Sequence, residues 1–501
     1  MPNYLLAHDL GTSGNKATLF TPEGTLVDSV TVSYPVRFYN GNWAEQNPLD
    51  WWRAVCESTK ALLSSVSPGE ILAVSFSGQM MGCLCVDANG DPLMDSIIWA
   101  DMRASAQEQA LKDKIDPAAF YRLTGHRLSC SYGIEKLMWV RDNAPDLYKK
   151  TACVLNAKDY IVFRLTGRLV TDYSDASGTN AFDLSRLCWS DEILSAAGIA
   201  PEKFPPAVAS ATVVGEVTRR ASEECGLAVG TPVVIGGGDG VCASVGAGSV
   251  AEGKTYHCIG SSSWICTASS KPVYDPDMRT FNWAHAVPGL VAPCGTMQAA
   301  GASFQWLKNQ ICTEETARAK ETGGSPYDLM NEQIATSPVG SNGILFLPYL
   351  QGERSPRWNP DAKGAFLGLK LENTRADLLR SVVEGIGFNL KIILDIFRKE
   401  LPIDEITVVG GMAKGDAVLR IFADIFGLPL VRPNYLDEAS SMGAAVIAGV
   451  GVGVLHFSDI GRFLKRDSEI RPDPSATAEY RKRLRVFEAA YRGLLDVFPM
   501  L

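Results

Sequence analysis

The chain has 501 residues, 46% of them hydrophobic and 21% charged, and carries a formal net charge of -9. That balance belongs to a soluble globular protein with ample core, and the length to two large domains or more. The negative charge excludes a broad basic surface for nucleic acid or anionic lipid, so any phosphate recognition must sit in a focused pocket.

The first forty residues read as an antiparallel meander. "YLLAHDL", "NKATLF" and "LVDSVTVSYPV" are rich in β-branched or aromatic residues, and "TPEGT" makes a turn between the last two. A helix follows, with Asn47 as its N-cap, Pro48 at its first position and apolar residues at helical spacing in "LDWWRAVCESTKALL". "ILAVSFSG" returns as a strand, which sets the class as α/β. Helical segments dominate from about Ser105 to Gly198, clearest in "IEKLMWVRDN". The Pro-rich passage "PEKFPPAVAS" leads to a new start at "TPVVIGGGDG", which predicts domains of 1–230 and 231–501. The second half repeats the first: "KTYHCIGSSSWICTAS" is again strand, loop of tiny residues, strand, and "ITVVGGMAKGDAVLRIFADIFG" is strand, glycine turn, helix. The run Met442–Phe457 is shorter than the ~20 residues needed to span a bilayer and reads as a buried helix with a glycine-rich end.

Twelve cysteines are scattered, and their one close pair, Cys83 and Cys85, fits neither a zinc knuckle nor a thioredoxin motif. With no secretory signal legible, reduced thiols in a cytoplasm are expected. None of the five histidines is spaced H-x-x-x-H, so a histidine-built metal site is not expected.

Four glycine-rich loops follow apolar strands: Gly11–Gly14, Gly236–Gly240, Gly260–Ser263 and Gly410–Gly415. Backbone N–H groups in such loops can cradle a polyanion. Gly238, Gly240 and Ala243 satisfy the dinucleotide fingerprint, but the acidic residue expected about 20 positions on is missing from "CIGSSSW". The Walker-type phosphate loop is absent too. Strand–loop–strand hairpins in two facing halves, with Asp9 beside the first loop, resemble the actin, hexokinase and chaperone ATPase superfamily.

The segments "HDLGTSG", "NWAEQNPLDWW", "SGQMMG", "IIWADMR", "IEKLMWVRDN", "KDYIVFRLTG", "SDASGT", "GGGDG", "LPYLQGERSP", "GAFLGL" and "VVEGIGFNL" occur in the order found in the FGGY carbohydrate kinases. The chain resembles that family over nearly its whole length, and most closely its xylulokinase branch. One family pattern, around Lys136, Trp139, Asp142 and Asn143, fits except that Gly133 replaces the usual Ser, Thr or Pro. The other, from Gly364 through Gly368, Leu369, Asp377 and Ser381 to Glu384, fits throughout.

The resemblance implies a two-domain ribonuclease H-like fold of the actin and hexokinase type, with a sugar-side first domain, an ATP-side second domain, and the last helices packing back on the first. It implies ATP- and Mg²⁺-dependent phosphorylation of a hydroxyl of a sugar or polyol, D-xylulose first among ketoses, with ribulose, L-xylulose, gluconate or an erythritol- or glycerol-like polyol as alternatives. A sugar-binding regulator without turnover and an actin-like ATPase are the rival classes. Asp239 is the expected general base, and Asp9, with Asp239, the expected metal carboxylate. Gly11, Thr12, Ser13, Lys16, Gly260, Ser261 and Ser262 would meet the ATP phosphates, and Gly410, Gly411, Met412 and Ala413 the adenosine. Met412 departs from a usually glycine-richer form. Gln79, Met80, Met81, Trp99, Asp101, Arg103, Asp239 and Gly240 would bind the acceptor. Xylulokinases usually carry a histidine in place of Met81, and often an asparagine in place of Gly240. No nucleic-acid or membrane partner is expected, and a homodimer fits the family.

Overall fold

The opening meander forms where its residue pattern predicts it. In the computed structural model, which describes residues 3–501, β1 (Tyr4–Leu10), β2 (Gly14–Phe20) and β3 (Leu26–Ser33) pair antiparallel. Helix α1 (Pro48–Leu62) starts at Asn47, whose side chain accepts the Leu49 N–H, and buries Trp51, Trp52, Ala54, Val55 and Leu62 along one face. The Ile71–Gly78 strand then runs parallel to β1, so Asp9 has Lys16 across from it on one side and Ser77 on the other.

The second half repeats this order. In the first sheet β3, β2, β1, Ile71–Gly78, Pro232–Val234 and Val213–Glu216 follow one another. In the second the order is Val291–Met297, Ser263–Thr267, Thr255–Ile259, Ile406–Val409, Leu430–Pro433 and Arg466–Ile470, with Phe281–Ala284 added outside the first of these. Each sheet is thus an antiparallel meander, two parallel strands and an antiparallel edge. This is the two-domain ribonuclease H-like arrangement expected of actin- and hexokinase-type ATPases.

The division between the halves differs from the predicted 230/231. Pro232–Val234 and Gly237–Gly238 both pair with Ile71–Gly78 in the first sheet, and the helix Asp239–Gly246 continues from them. The change of sheet therefore falls between Gly246 and Thr255. The Pro-rich passage that suggested an earlier limit is local: within it Ala207–Val208 pairs with Thr171–Asp172.

Two helices join the halves. Asp239–Gly246 and Ala439–Gly451 cross so closely that a Cβ on Gly246 would lie 1.9 Å from the Ala439 carbonyl oxygen, and one on Gly443 1.9 Å from that of Cys242. Met442, Ala444, Ala445, Val446, Ile447 and Ala448 are fully buried at this joint, and the helix also packs on β1 and Ile71–Gly78. Of the last helices this one returns to the first domain; Pro474–Gly493 packs on Asp416–Phe426 and Arg375–Phe397 of its own half. Among the described residues no helix is long and apolar enough to cross a membrane, and all twelve cysteines are free thiols.

One charged cluster lies fully inside the first domain. Lys158 Nζ meets Asp159 at 2.7 Å, Asp172 at 2.9 Å and Asp175 at 3.1 Å, all four side chains being at most 1% exposed. Burial works against the ammonium, but the three carboxylates outweigh it and hold the lysine well above its ordinary pKa. Burial, only partly offset by Lys158, raises Asp175 well above the usual carboxylate range, which sheds part of the excess negative charge. Removing the lysine leaves buried carboxylates uncompensated, so Lys158→Met is expected to destabilise the fold by about 3–5 kcal/mol. Urea unfolding measures this, and an unchanged midpoint would contradict it.

Candidate active site

The two hairpin loops face each other across a cleft, and small residues let other groups hold their backbones directly. In the first loop the Gly11 N–H donates to the Gly14 carbonyl at 3.0 Å, and the Tyr34 hydroxyl donates to the Gly11 carbonyl at 2.6 Å. Gln46 donates to the Thr12 carbonyl at 2.6 Å and the Trp99 indole N–H to the Thr12 hydroxyl at 2.9 Å. Thr12 is thereby fixed at backbone and side chain.

Two carboxylates stand at the ends of these strands. Asp9, near the end of β1, accepts the Ser77 hydroxyl at 2.7 Å; burial raises its pKa, and Ser77 and Lys16 offset part of the rise. Asp239 opens the helix Asp239–Gly246 and accepts the Gly240 N–H at 2.7 Å. Burial first, and the charge of Asp9 second, push its pKa up to about 7. A carboxyl group so poised can take a proton near neutral pH.

Two cavities open at the cleft, and Asp239 is on the wall of the smaller. The smaller, about 270 Å³, is walled from the first half by Thr12, Met80, Met81, Trp99, Asp239 and Gly240, and from the second by Ser262, Trp264, Phe281, Trp283, Thr296 and Arg354. The larger, about 690 Å³, is walled by Gly260, Ser261, Gly301, Phe304, Tyr327 and Asn331, with Gly411, Met412 and Lys414 opposite. Phe304 and Tyr327 stack at 5.6 Å between ring centres. Consecutive residues, Ser261 and Ser262, line different cavities, so the second hairpin loop contributes to both.

Met81 has a backbone φ of 63°, a left-handed conformation that is rare without glycine and costs about 1–3 kcal/mol. Buried Lys136 donates to its carbonyl at 2.8 Å and holds it there. Gly238 is demanded by its neighbour, since a Cβ there would lie 2.4 Å from the Met80 sulfur, whereas a Cβ on Gly240 would meet nothing within 4 Å. The Gly240 carbonyl accepts the Tyr256 hydroxyl at 2.5 Å, which itself accepts the Trp264 indole N–H at 2.8 Å.

Of the residues expected at the acceptor, Met80, Met81, Trp99, Asp239 and Gly240 line the smaller cavity and three do not. Gln79 lies buried off the wall, its amide donating to Gln46 at 2.6 Å while its own carbonyl oxygen is unpaired. Asp101 and Arg103 are turned on each other: the guanidinium pairs with Asp101 at 2.6 Å and Glu45 at 2.8 Å and lies over Trp43 at 3.7 Å, while Asp101 also accepts the Ala44 N–H at 2.6 Å. Buried charges need partners, and these two find them in each other and in Glu45.

Of the residues expected at the nucleotide, Gly260, Ser261, Gly411 and Met412 line the larger cavity, while Thr12 and Ser262 face the smaller. Gly11 and Ser13 belong to the first loop but to neither wall. Ala413 is fully buried beneath its loop. Gly410 is fixed by backbone packing, since a Cβ there would lie 2.7 Å from the Ile259 carbonyl oxygen. Lys16 reaches across to the second half, donating to the Asp437 carbonyl at 2.7 Å.

Sequence reasoning missed the second half's share of the smaller cavity. Trp264 follows "GSSS" directly and Arg354 lies in "LPYLQGERSP", so both carried a signal. Phe281 and Trp283, on one strand, carried none, and neither did Phe304 and Tyr327, which come from two helices and line the larger cavity.

Among the described residues no group of three or more His, Cys, Asp or Glu is gathered to hold a metal. The donors present, two carboxylates beside a hydroxyl-rich loop, fit Mg²⁺, which keeps several waters and uses one or two carboxylates together with substrate phosphates.

The family model described as "FGGY family of carbohydrate kinases, N-terminal domain" matches residues 4–246, and that for the C-terminal domain matches residues 255–452. The xylulose kinase of Staphylococcus xylosus is 30% identical over 491 residues, covering 97% of this chain and 99% of that protein. The ligand-bound xylulose kinase of Lactobacillus acidophilus superposes with a TM-score of 0.93 at 28% identity, over 99% of both chains. The gluconate kinase of the same organism gives 0.91 at 29% identity, over 99% of this chain and 98% of that one. The chain belongs to the FGGY family of carbohydrate kinases and is a sugar-kinase phosphotransferase.

Proposed function

We propose that the chain transfers the γ-phosphoryl group of ATP to a hydroxyl of D-xylulose, giving D-xylulose 5-phosphate, with the sugar in the smaller cavity and the adenosine in the larger. The carrying observation is that the second hairpin loop lines both cavities, through Ser261 and Ser262, with Asp239 on the wall of the smaller one. A triphosphate running from the larger cavity past the second hairpin loop would end within reach of an alcohol held beside Asp239.

In this reading Asp239 takes the proton of the acceptor hydroxyl as its oxygen attacks the γ-phosphorus; the bond to the β-phosphate oxygen breaks and ADP leaves. Asp9 and Asp239 would hold Mg²⁺, which when bound neutralises phosphate charge. The backbone of Gly11–Ser13 and the Gly260–Ser262 loop would orient the phosphates, and Gly411 and Met412 the adenosine. Trp99, Trp264 and Trp283 would pack on the C–H faces of the sugar, exclude water and leave selection among hydroxyls to few polar groups.

A second acceptor, gluconate, is favoured by two features. Met81 and Gly240 give the wall no side-chain hydrogen-bonding group where xylulokinases usually have one, and a buried sugar hydroxyl needs a partner. The similarity to a gluconate kinase is also as high as that to xylulose kinases.

Asp239→Asn is expected to lower kcat by about 10²- to 10⁴-fold with ATP binding retained, the range for a lost general base; wild-type turnover would remove Asp239 from the mechanism. Asp9→Asn is expected to raise the Mg²⁺ concentration for half-maximal rate about 10- to 100-fold, read from a Mg²⁺ titration at saturating sugar, and an unchanged requirement would remove Asp9 from the metal site. Met81→His, a residue tolerated in the left-handed region, is expected to raise the kcat/KM ratio of D-xylulose over gluconate by about tenfold, the worth of one gained hydrogen bond. A substrate panel on both proteins measures it, and an unchanged ratio means that position 81 does not read the acceptor.

A further inference from the structure

Gly236, Gly237 and Gly238 directly precede Asp239. Three successive glycines leave a backbone with more conformational freedom than any other triplet; pairing with Ile71–Gly78 holds Gly237 and Gly238 along the strand, and side chains on either side hold the segment further. On one side stands Met80, 2.4 Å from where a Gly238 Cβ would be. On the other stands Ser174, whose hydroxyl oxygen accepts the Gly238 N–H at 2.9 Å and lies 3.1 Å from where a Gly237 Cβ would be.

The serine is itself fixed. Its hydroxyl donates to Asp172 Oδ2 at 2.6 Å, which commits the proton and leaves a lone pair aimed at Gly238. The same carboxylate oxygen accepts the Ser174 N–H at 2.9 Å and the Ser210 hydroxyl at 2.7 Å, and the other oxygen pairs with Lys158 at 2.9 Å. Lys158, Asp172 and Ser174 are fully buried, so no water competes for these bonds. The chain of contacts runs from the buried lysine to the backbone amide next to Asp239.

We propose that Ser174, held by Asp172 and Lys158, is a positioning residue for Asp239: it fixes the N–H of Gly238 and so the place from which the carboxylate meets the acceptor hydroxyl. This rests on the reading of Asp239 as general base. A displacement of about 1 Å at a reacting group costs on the order of 10²-fold, so losing this one bond is expected to appear in turnover more than in binding.

The test compares Ser174→Ala with Ser210→Ala. Both delete a hydroxyl from the same Asp172 oxygen, but only Ser174 touches Gly238. The expected result is a kcat lowered about 10- to 100-fold in Ser174→Ala with KM for sugar and ATP within about twofold, and a kcat within about twofold of wild type in Ser210→Ala. Equal losses in both variants would reduce Ser174 to a member of a structural cluster, and wild-type kcat in Ser174→Ala would overturn the proposal outright. Thermal melting accompanies each variant; if Ser174→Ala does not melt cooperatively, Ser174→Cys, similar in size but a weak acceptor, replaces it with the same outcomes. Asp239→Asn is assayed alongside. If it retains turnover, the general-base reading falls and this proposal with it; if it is crippled while Ser174→Ala is not, the positioning role alone falls.

Discussion

Two carboxylates brought close together inside a protein-lined cleft are the constraint on which the rest of this structure depends. Burial alone makes an ionised Asp239 costly, and Asp9 adds like-charge repulsion. Folding tolerates the pair because the sheet delivers them there: β1 ends at Asp9 and Leu10, and the parallel Ile71–Gly78 strand and its Gly237–Gly238 partner end beside it. Parallel strands of an open α/β sheet present their carboxyl ends as a crevice. A carboxylate pair of this kind suits a divalent cation, which on the reading proposed above is the Mg²⁺ that accompanies the triphosphate.

Arg354 is the cation on the wall of the smaller cavity, and the buried cations of the first half are spent elsewhere: Lys158 on three aspartates, Arg103 on Asp101 and Glu45, and Lys136 on the carbonyls of Met81, Ile98 and Ser131. Of the three, Lys136 spends one hydrogen bond on a residue that lines the smaller cavity, Met81. Lys16 touches the pair electrostatically, yet its ammonium is anchored on the Asp437 carbonyl across the cleft. The joint between the halves, where Gly246 and Gly443 allow backbone-to-backbone approach, keeps the two loops facing each other.

Much of the fold was legible because its signals are local. Runs rich in β-branched and aromatic residues set the meander, Asn47 and Pro48 set a helix start, and a second strand–loop–strand of tiny residues revealed the repeat. The domain limit was not, because Pro-rich loops mark chain reversals whether or not a sheet ends there, and Pro232–Val234 joins the first sheet by a pairing across more than 150 residues of chain that no local pattern encodes. Of the candidate residues, Asp239, Met81 and Trp99 were reached through loops and motifs and line the smaller cavity. Asp101 and Arg103 pair with each other instead of lining the cavity, which the motif could not show, because a charged pair reads the same in sequence whichever way it faces. Trp283, Phe281 and Phe304 were invisible, since an aromatic residue in a strand or helix reads as core until the tertiary structure opens a cavity against it.

The central claim is that one carboxylate, at position 239, faces both the acceptor alcohol and the terminal phosphate across the two cavities. A crystal structure with the sugar, Mg²⁺ and a non-hydrolysable ATP analogue tests it most directly. The account predicts an Asp239 oxygen at hydrogen-bond distance, about 2.6–3.2 Å, from a sugar hydroxyl that points at the γ-phosphorus. A complex with the sugar bound away from Asp239, or with the triphosphate leaving the larger cavity away from Ser261 and Ser262, would contradict it.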